Sequence, residues 1–350
     1  MLRELAKSAL YRVGPLEAYH RARNRRALTV IMFHRVLGRG DRRWAYCDPE
    51  YTIAEDLFVR CLEFFRAHYH VVSIDDVLAP GGHLPDHPLL ITFDDGWADH
   101  EQVALPVLAN LGLPALVFVA ADAVDAAEPT PFWENRLLHA YRRGVLDQAT
   151  LASLWYATGG GDAPTFAGLD EVRALIARLV ALDPERVPGL LAPLESRLAT
   201  PGDRHMLSQV ELANLPRHRI AIGAHGSRHR PLARVADAAD DLRRAQAELS
   251  RRLAAPVPTM SFPHGSYTRA TVDAAHAAGF RTLFTSDPVL NPVPAGAAVP
   301  AILGRIGFDP AVIVDRRGRF RPELLALWLW RRPHETLTGE PRRRAAAAAA

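Results

Sequence analysis

Two places in the chain combine residue types that could do chemistry. The first is Thr92-Phe93-Asp94-Asp95-Gly96, where the apolar run Leu89-Leu90-Ile91 stops at two adjacent carboxylates and a glycine. An apolar run of this length reads as a buried strand. Two ionised aspartates cannot be buried side by side without partners, so they belong just past the strand's carboxyl end. Open α/β sheets and barrels carry their chemistry there. Alone, Asp-Asp-Gly reads as an acidic turn, because Asp-Gly is a common turn pair. A second stretch overturns that reading. His225 and His229 lie four apart, beside the strand signal Ile220-Ala221-Ile222, a spacing that predicts one face of a single helical turn. One aspartate and two histidines are a suitable ligand set for a divalent transition metal with positions left open. The other aspartate is then free to act as a base.

The surrounding pattern is that of alternating strands and helices. Strands are expected at 28–33, ending at His34, at 71–74, at the central run 89–93, and at 114–119. Helices are expected at 54–67 and 103–111, with 38–52 as loop and Pro80-Gly81-Gly82 as a break. Strand, helix, strand at this spacing marks a parallel sheet. From 123 to 204 the pattern is helical, interrupted by Gly159-Gly160-Gly161, and reads as an insertion on the rim. Alternation resumes with a strand at 220, a helix at 237–253 and a strand at 259–262 that stops at Pro263-His264-Gly265. A helix at 271–278 and strands at 281–285 and 301–303 follow. The resulting division is a basic N-terminal helix (1–26), a barrel-like body (27–320, with the insertion 123–204) and a C-terminal tail (321–350). The Pro341-Arg342-Arg343-Arg344 stretch and its alanines have nothing evident to pack against.

Composition sets the outer limits. The 350 residues are 49% hydrophobic and 23% charged, which suits a folded globular protein. The formal charge is +3, Lys7 is the only lysine, and no basic stripe is interleaved with aromatics. Nucleic acid is therefore not an expected partner. Cys47 and Cys61 are too few for a disulfide framework and are expected as free thiols. Neither a signal peptide nor a spanning segment is visible, so a cytoplasmic location is expected. The basic N-terminus leaves peripheral contact with an anionic membrane open, and oligomeric state is not legible.

The ordered set Thr92-Phe93-Asp94-Asp95-Gly96, His225-x-x-x-His229 and Phe262-Pro263-His264-Gly265 closely resembles the polysaccharide deacetylase (NodB homology) family, over roughly 28–122 and 205–308. The resemblance implies an α/β fold, a distorted (β/α) barrel of about seven parallel strands. It implies a metal-dependent carbohydrate esterase with Asp94 as base and Asp95, His225 and His229 holding the metal, most often zinc. Two departures stand out. The family usually places an arginine ahead of the proline motif, where this chain has Ser261 and Phe262, and a histidine on a late strand, where Ala301-Ile302-Leu303-Gly304-Arg305 has none. Met32-Phe33-His34-Arg35-Val36 resembles the branch with an N-terminal catalytic histidine, so His34 is expected as the acid. Arg305 is a candidate replacement partner for Asp94. Pro263, His264 and Gly265 are expected to line the pocket, and Trp97 and Trp133 are candidates to stack on a sugar.

The expected function is removal of N-acetyl or related acyl groups from an acetamido sugar in a polysaccharide or glycan precursor. The alternative is a carbohydrate-binding barrel without catalysis. A glycoside hydrolase ranks last, because its two carboxyls must face each other across ~5–9.5 Å.

Overall fold

In the computed structural model, which describes residues 2–341 except 80, 82, 127–131, 200, 201 and 203, the short strand His70–Val71 pairs parallel with Pro88–Leu89 at the side of a sheet whose continuous path includes seven parallel strands. They are β1 (Ala27–Phe33), β2 (Pro88–Phe93), β3 (Ala115–Val119), β4 (Ile220–Ala224), β5 (Thr259–Ser261), β6 (Thr282–Phe284) and β7 (Ile302–Leu303). Each pairs with the next in that order. Just past β7, Ile306 bridges to Ile31. Its N–H donates to Val30 and its carbonyl accepts from Met32, at 2.8 and 3.0 Å. That bridge brings the two edges together, and the sheet is a distorted (β/α) barrel.

The side chains sort by the two-residue period of a strand. Leu28, Val30, Leu90, Leu116, Phe118, Phe284 and Leu303 form one buried cluster, inside the barrel. Ile31, Phe33, Leu89, Ile91, Val117, Val119, Ile220 and Ile222 face the other way and pack under the surrounding helices. Residues just beyond each strand inherit this parity. His34, Asp94, His225, Ser261 and Arg305 all fall on the inward series. A Cβ on Gly223, another inward position, would come within 2.7 Å of the Phe118 ring and the Thr259 hydroxyl. Only glycine fits there.

Several expectations need correction. The strand expected at 71–74 is only His70–Val71. Ser73 instead caps the helix Ile74–Leu78 in a capping box with Asp76, because a Ser-x-x-Asp spacing satisfies two orphan N–H groups at once. The loop 38–52 carries two 3-10 turns, and Thr52–Ala54 pairs with Arg35–Leu37. The helix expected from 103 opens earlier, as a π-helical turn His100–Ala104. The N-terminal basic helix is two helices, Leu2–Arg12 and Pro15–Arg23, broken at Gly14, whose φ is +99°. Nor is residue 321 the start of a tail. Pro322–Trp330 is a helix whose Leu325, Ala326, Leu329 and Trp330 are fully buried. The continuous apolar run LLALWLW is what a helix buried on most sides requires. Of the C-terminal stretch, 342–350 lie outside the described residues, as do Pro80 and Gly82.

The insertion is helical, as expected. Its helices Trp133–Arg142, Gln148–Ala157, Leu169–Val180 and Arg186–Leu191 share a separate core around Leu151, Leu175 and Leu179. Cys47 and Cys61 are buried free thiols. Among the described residues, no helix is long and apolar enough to cross a membrane.

Candidate active site

His34, Asp94, Asp95, Trp97, His225, His229, His264, Gly265 and Arg305 line a cavity of about 810 Å³ at the mouth of the barrel, at the carboxyl ends of its strands. Trp133 does not join them and packs against the insertion's own core. Asp94 follows β2 on the inward parity, and its N–H donates to Phe33 of β1 at 3.0 Å. His34 therefore stands beside it at the end of the neighbouring strand. Asp95 would point outward by parity, but its φ of +79° turns it back, and Gly96 continues the turn at +84°. At Gly96 a Cβ would also press to 2.9 Å from Val119.

Asp94 is 2% exposed and Arg305 1%. The guanidinium grips both carboxylate oxygens, Nη1 to Oδ1 at 2.6 Å and Nη2 to Oδ2 at 2.7 Å. Arg305 also donates to the Ser261 hydroxyl at 2.6 Å and to the Thr285 carbonyl at 3.1 Å. An arginine from β7's end thus fills the space that Ser261 leaves open beside the proline motif. Burial alone would raise the Asp94 carboxyl, but Arg305, with His225 and His34 adding to it, outweighs that and holds the group below its ordinary value.

The two histidines are not on a helical turn. β4 ends at Ala224, Gly226 has φ +66° and His229 φ +54°. A left-handed glycine directly after His225 is incompatible with a continuing helix. A loop brings the rings together instead, with centroids 5.1 Å apart. His225 Nε2 lies 3.5 Å and His229 Nε2 3.3 Å from Asp95 Oδ1. Three ligands held ~2.1 Å from a tetrahedral metal are ~3.4 Å apart, so these atoms fit such an ion. His225 Nδ1 is 3.0 Å from the Ser261 carbonyl. Donating there leaves the Nε2 lone pair directed at the site. Burial would raise Asp95 too, yet the two histidines beside it outweigh that and hold it well below the usual carboxylate range.

Trp97 does not present an open face to a sugar. Its indole is 2% exposed, donates to Asp95 Oδ2 at 2.8 Å and lies under the Arg35 guanidinium at 4.4 Å. Arg35 is in turn paired with fully buried Asp99 at 2.7 Å. The chain Asp99–Arg35–Trp97–Asp95 therefore positions a carboxylate. Pro263–Gly265 forms a tight turn with His264 at φ +55°. His264 and Gly265 line the cavity, and buried Pro263 packs behind them, 3.4 Å from where a Gly226 Cβ would stand. His264 Nε2 is 3.2 Å from the His229 carbonyl, and burial lowers its imidazole to about 3.

His34 lines the cavity with its ring edge-on to Tyr51 at 5.0 Å. Burial lowers it below the ordinary imidazole value, while Asp95 and Asp94 pull the other way. Past Tyr51 the cavity runs into a second groove of about 420 Å³ lined by Glu50, Phe308 and Trp328. Sequence reasoning missed Tyr51 and also Glu134. The latter projects from the insertion's first helix to 3.3 Å from His264 Nε2, and burial raises its carboxyl to about 7. Neither carries a spacing signal.

Set against known proteins, the chain matches no family model and no curated protein by sequence. Solved structures do match. The Streptococcus pyogenes deacetylase PplD, in complex with acetate, superposes with a TM-score of 0.54 at 14% identity, over 87% of this chain and 99% of that one. IcaB from Ammonifex degensii gives 0.51 at 19% identity, over 87% and 97%. A de-N-acetylase from Aggregatibacter actinomycetemcomitans gives 0.52 at 15%, over 81% and 95%. The fold is thus that of the polysaccharide deacetylases, over nearly the full length of those chains.

Proposed function

We propose that this protein is a metal-dependent hydrolase that removes N-acetyl or related acyl groups from an acetamido sugar of a glycan. The carrying observation is the buried, arginine-clamped Asp94 beside a convergent Asp95, His225 and His229 set, at the mouth of a barrel with the deacetylase fold.

Asp95, His225 and His229 would hold the divalent metal, with zinc best suited to this donor set. When bound, such a metal supplies charge that polarises an acyl carbonyl and acidifies water. Asp94, kept ionised by Arg305, accepts a proton as water attacks the acyl carbon. Cleavage of the carbon–nitrogen bond requires a proton on the departing amine, a role we assign to His34, the neighbour of Asp94 at the barrel mouth. Products are the carboxylate and the free amino sugar. Trp97 and Arg305 orient the two aspartates rather than touching substrate. His264 and Gly265 form part of the cavity wall, with Pro263 fixing their turn from behind.

Acetate release from N-acetylglucosamine oligosaccharides tests the proposal, with zinc-loaded wild type against Asp94→Asn and His34→Ala. A loss of at least ~10²-fold is expected for each. An Asp94→Asn protein that turns over like wild type would contradict the assignment.

A further inference from the structure

Glu134 belongs to the helical insertion, not to the barrel, yet it reaches the metal-type cluster. The insertion's first turn is pinned there by Phe132, whose ring lies 4.4 Å from that of His229 and 5.4 Å from that of Trp97. Behind it, Leu137 and Ala140 of the same helix are buried in the insertion's own core. The carboxylate is therefore delivered by a rigid element. Glu134, His229 and His264 bring ligand-type atoms within 4.8 Å of one another.

His229 explains what the carboxylate is for. Its Nε2 is committed to the Asp95 side. Its Nδ1 is buried and has no hydrogen-bond partner among the described residues, whereas His225, the sister histidine, has the Ser261 carbonyl for the same atom. An imidazole that ligates through one nitrogen carries its proton on the other, and a buried N–H without an acceptor is costly. A charged acceptor in the same cluster is Glu134, whose carboxylate lies 3.3 Å from His264.

We propose that Glu134 is the positioning residue of His229, accepting its Nδ1–H once Nε2 ligates the metal, so that the insertion completes the metal centre. This rests on the metal reading above. A separate cation shared by Glu134, His264 and His229 is disfavoured, since His229 would then have to lose its second proton and bridge two ions. A carboxylate behind a ligating histidine fixes the ring and raises its basicity, and removing such a partner typically weakens metal binding by about 10–100-fold.

The test is zinc affinity by competition with a chromogenic chelator, for wild type, Glu134→Gln and Glu134→Ala. It is read beside the thermal midpoint of each metal-free protein and the visible spectrum of the cobalt(II) forms. The expected result is a loss of about 10–100-fold for Glu134→Ala and a smaller one for Glu134→Gln, whose amide oxygen still accepts. Metal-free midpoints should match, and the cobalt spectrum should shift. Equal zinc affinity in folded Glu134→Gln and Glu134→Ala proteins and wild type would overturn the inference. So would two zinc ions per wild-type chain with one lost in Glu134→Ala, which would make Glu134 a ligand. A wild type that binds no zinc would overturn the metal reading itself, a distinguishable failure.

Discussion

At the scale of single residues, the proposed chemistry turns on the charge balance around Asp94. Arg305 supplies a buried, bidentate counter-charge. Replacing it by methionine leaves a buried carboxylate without its partner, and an expected cost of about 3–5 kcal/mol in denaturant unfolding follows. The Asp94 pKa should rise as well, and because the proposed base must be ionised, the acid limb of kcat/KM should move to higher pH. An unmoved limb in a folded Arg305→Met protein would argue that the pair is only structural. His34 is expected to set the opposite limb. Burial lowers its pKa, so activity that needs its proton should fall as pH rises through a value on the acid side of an ordinary imidazole. His34→Ala should lose that limb along with most of the rate. Much of this site was legible in the sequence because several strands end just before a candidate site residue. Asp94, Asp95, His225 and Arg305 all sit one or two positions past a strand. His229 was legible as a partner of His225 but not in its geometry, since Gly226 converts an apparent helical spacing into a loop. Trp97 was legible only as a candidate sugar platform, because a sequence shows an aromatic ring but not the aspartate that its N–H holds.

At the scale of elements, the insertion and the barrel are joined where the chain returns to β4. Glu211, at the start of the helix Gln209–Asn214, accepts from Arg204, Ser208 and Gln102. Burial would raise its carboxyl, but these hydrogen bonds outweigh that and hold it at about 2 rather than the ordinary 4.5. A depressed folded-state pKa contributes stability above the unfolded value and loses it as pH falls toward the folded one. Glu211→Gln is therefore expected to lower the thermal midpoint at neutral pH, with the difference from wild type vanishing between about pH 4.5 and 2. A difference that stays constant across that range would show that the carboxylate charge is not what holds the junction. The insertion itself was recognisable as helical, yet the reach of Glu134 into the site was not. No periodicity links a residue on an inserted helix to a histidine loop nearly a hundred positions later.

At the scale of the whole molecule, the first helices of the chain pack against the helix Pro322–Trp330. Trp330 is fully buried and stacks on the His20 ring at 4.5 Å. Its carbonyl accepts from Arg23 and Asn24, and Ser8 donates to Glu323 at 2.6 Å. The N-terminal helices are thus docked on the helix Pro322–Trp330 rather than simply solvated. Their basic faces hid the docking surface, because Leu16 and His20 are isolated buried positions among charges. Trp330→Ala should cost about 3–5 kcal/mol in urea unfolding. A loss below 1 kcal/mol would mean that this packing adds little.

The central claim is that Asp95, His225 and His229 hold a metal on which acyl transfer to water depends. The most direct test strips the protein with a chelator, adds zinc back in steps and follows acetate release from an N-acetylglucosamine oligosaccharide. Activity should disappear on stripping and return in proportion to zinc bound, up to one ion per chain, and a His225→Ala/His229→Ala protein should recover none. Acetate release that persists without metal, or that never follows the zinc bound, would contradict the account.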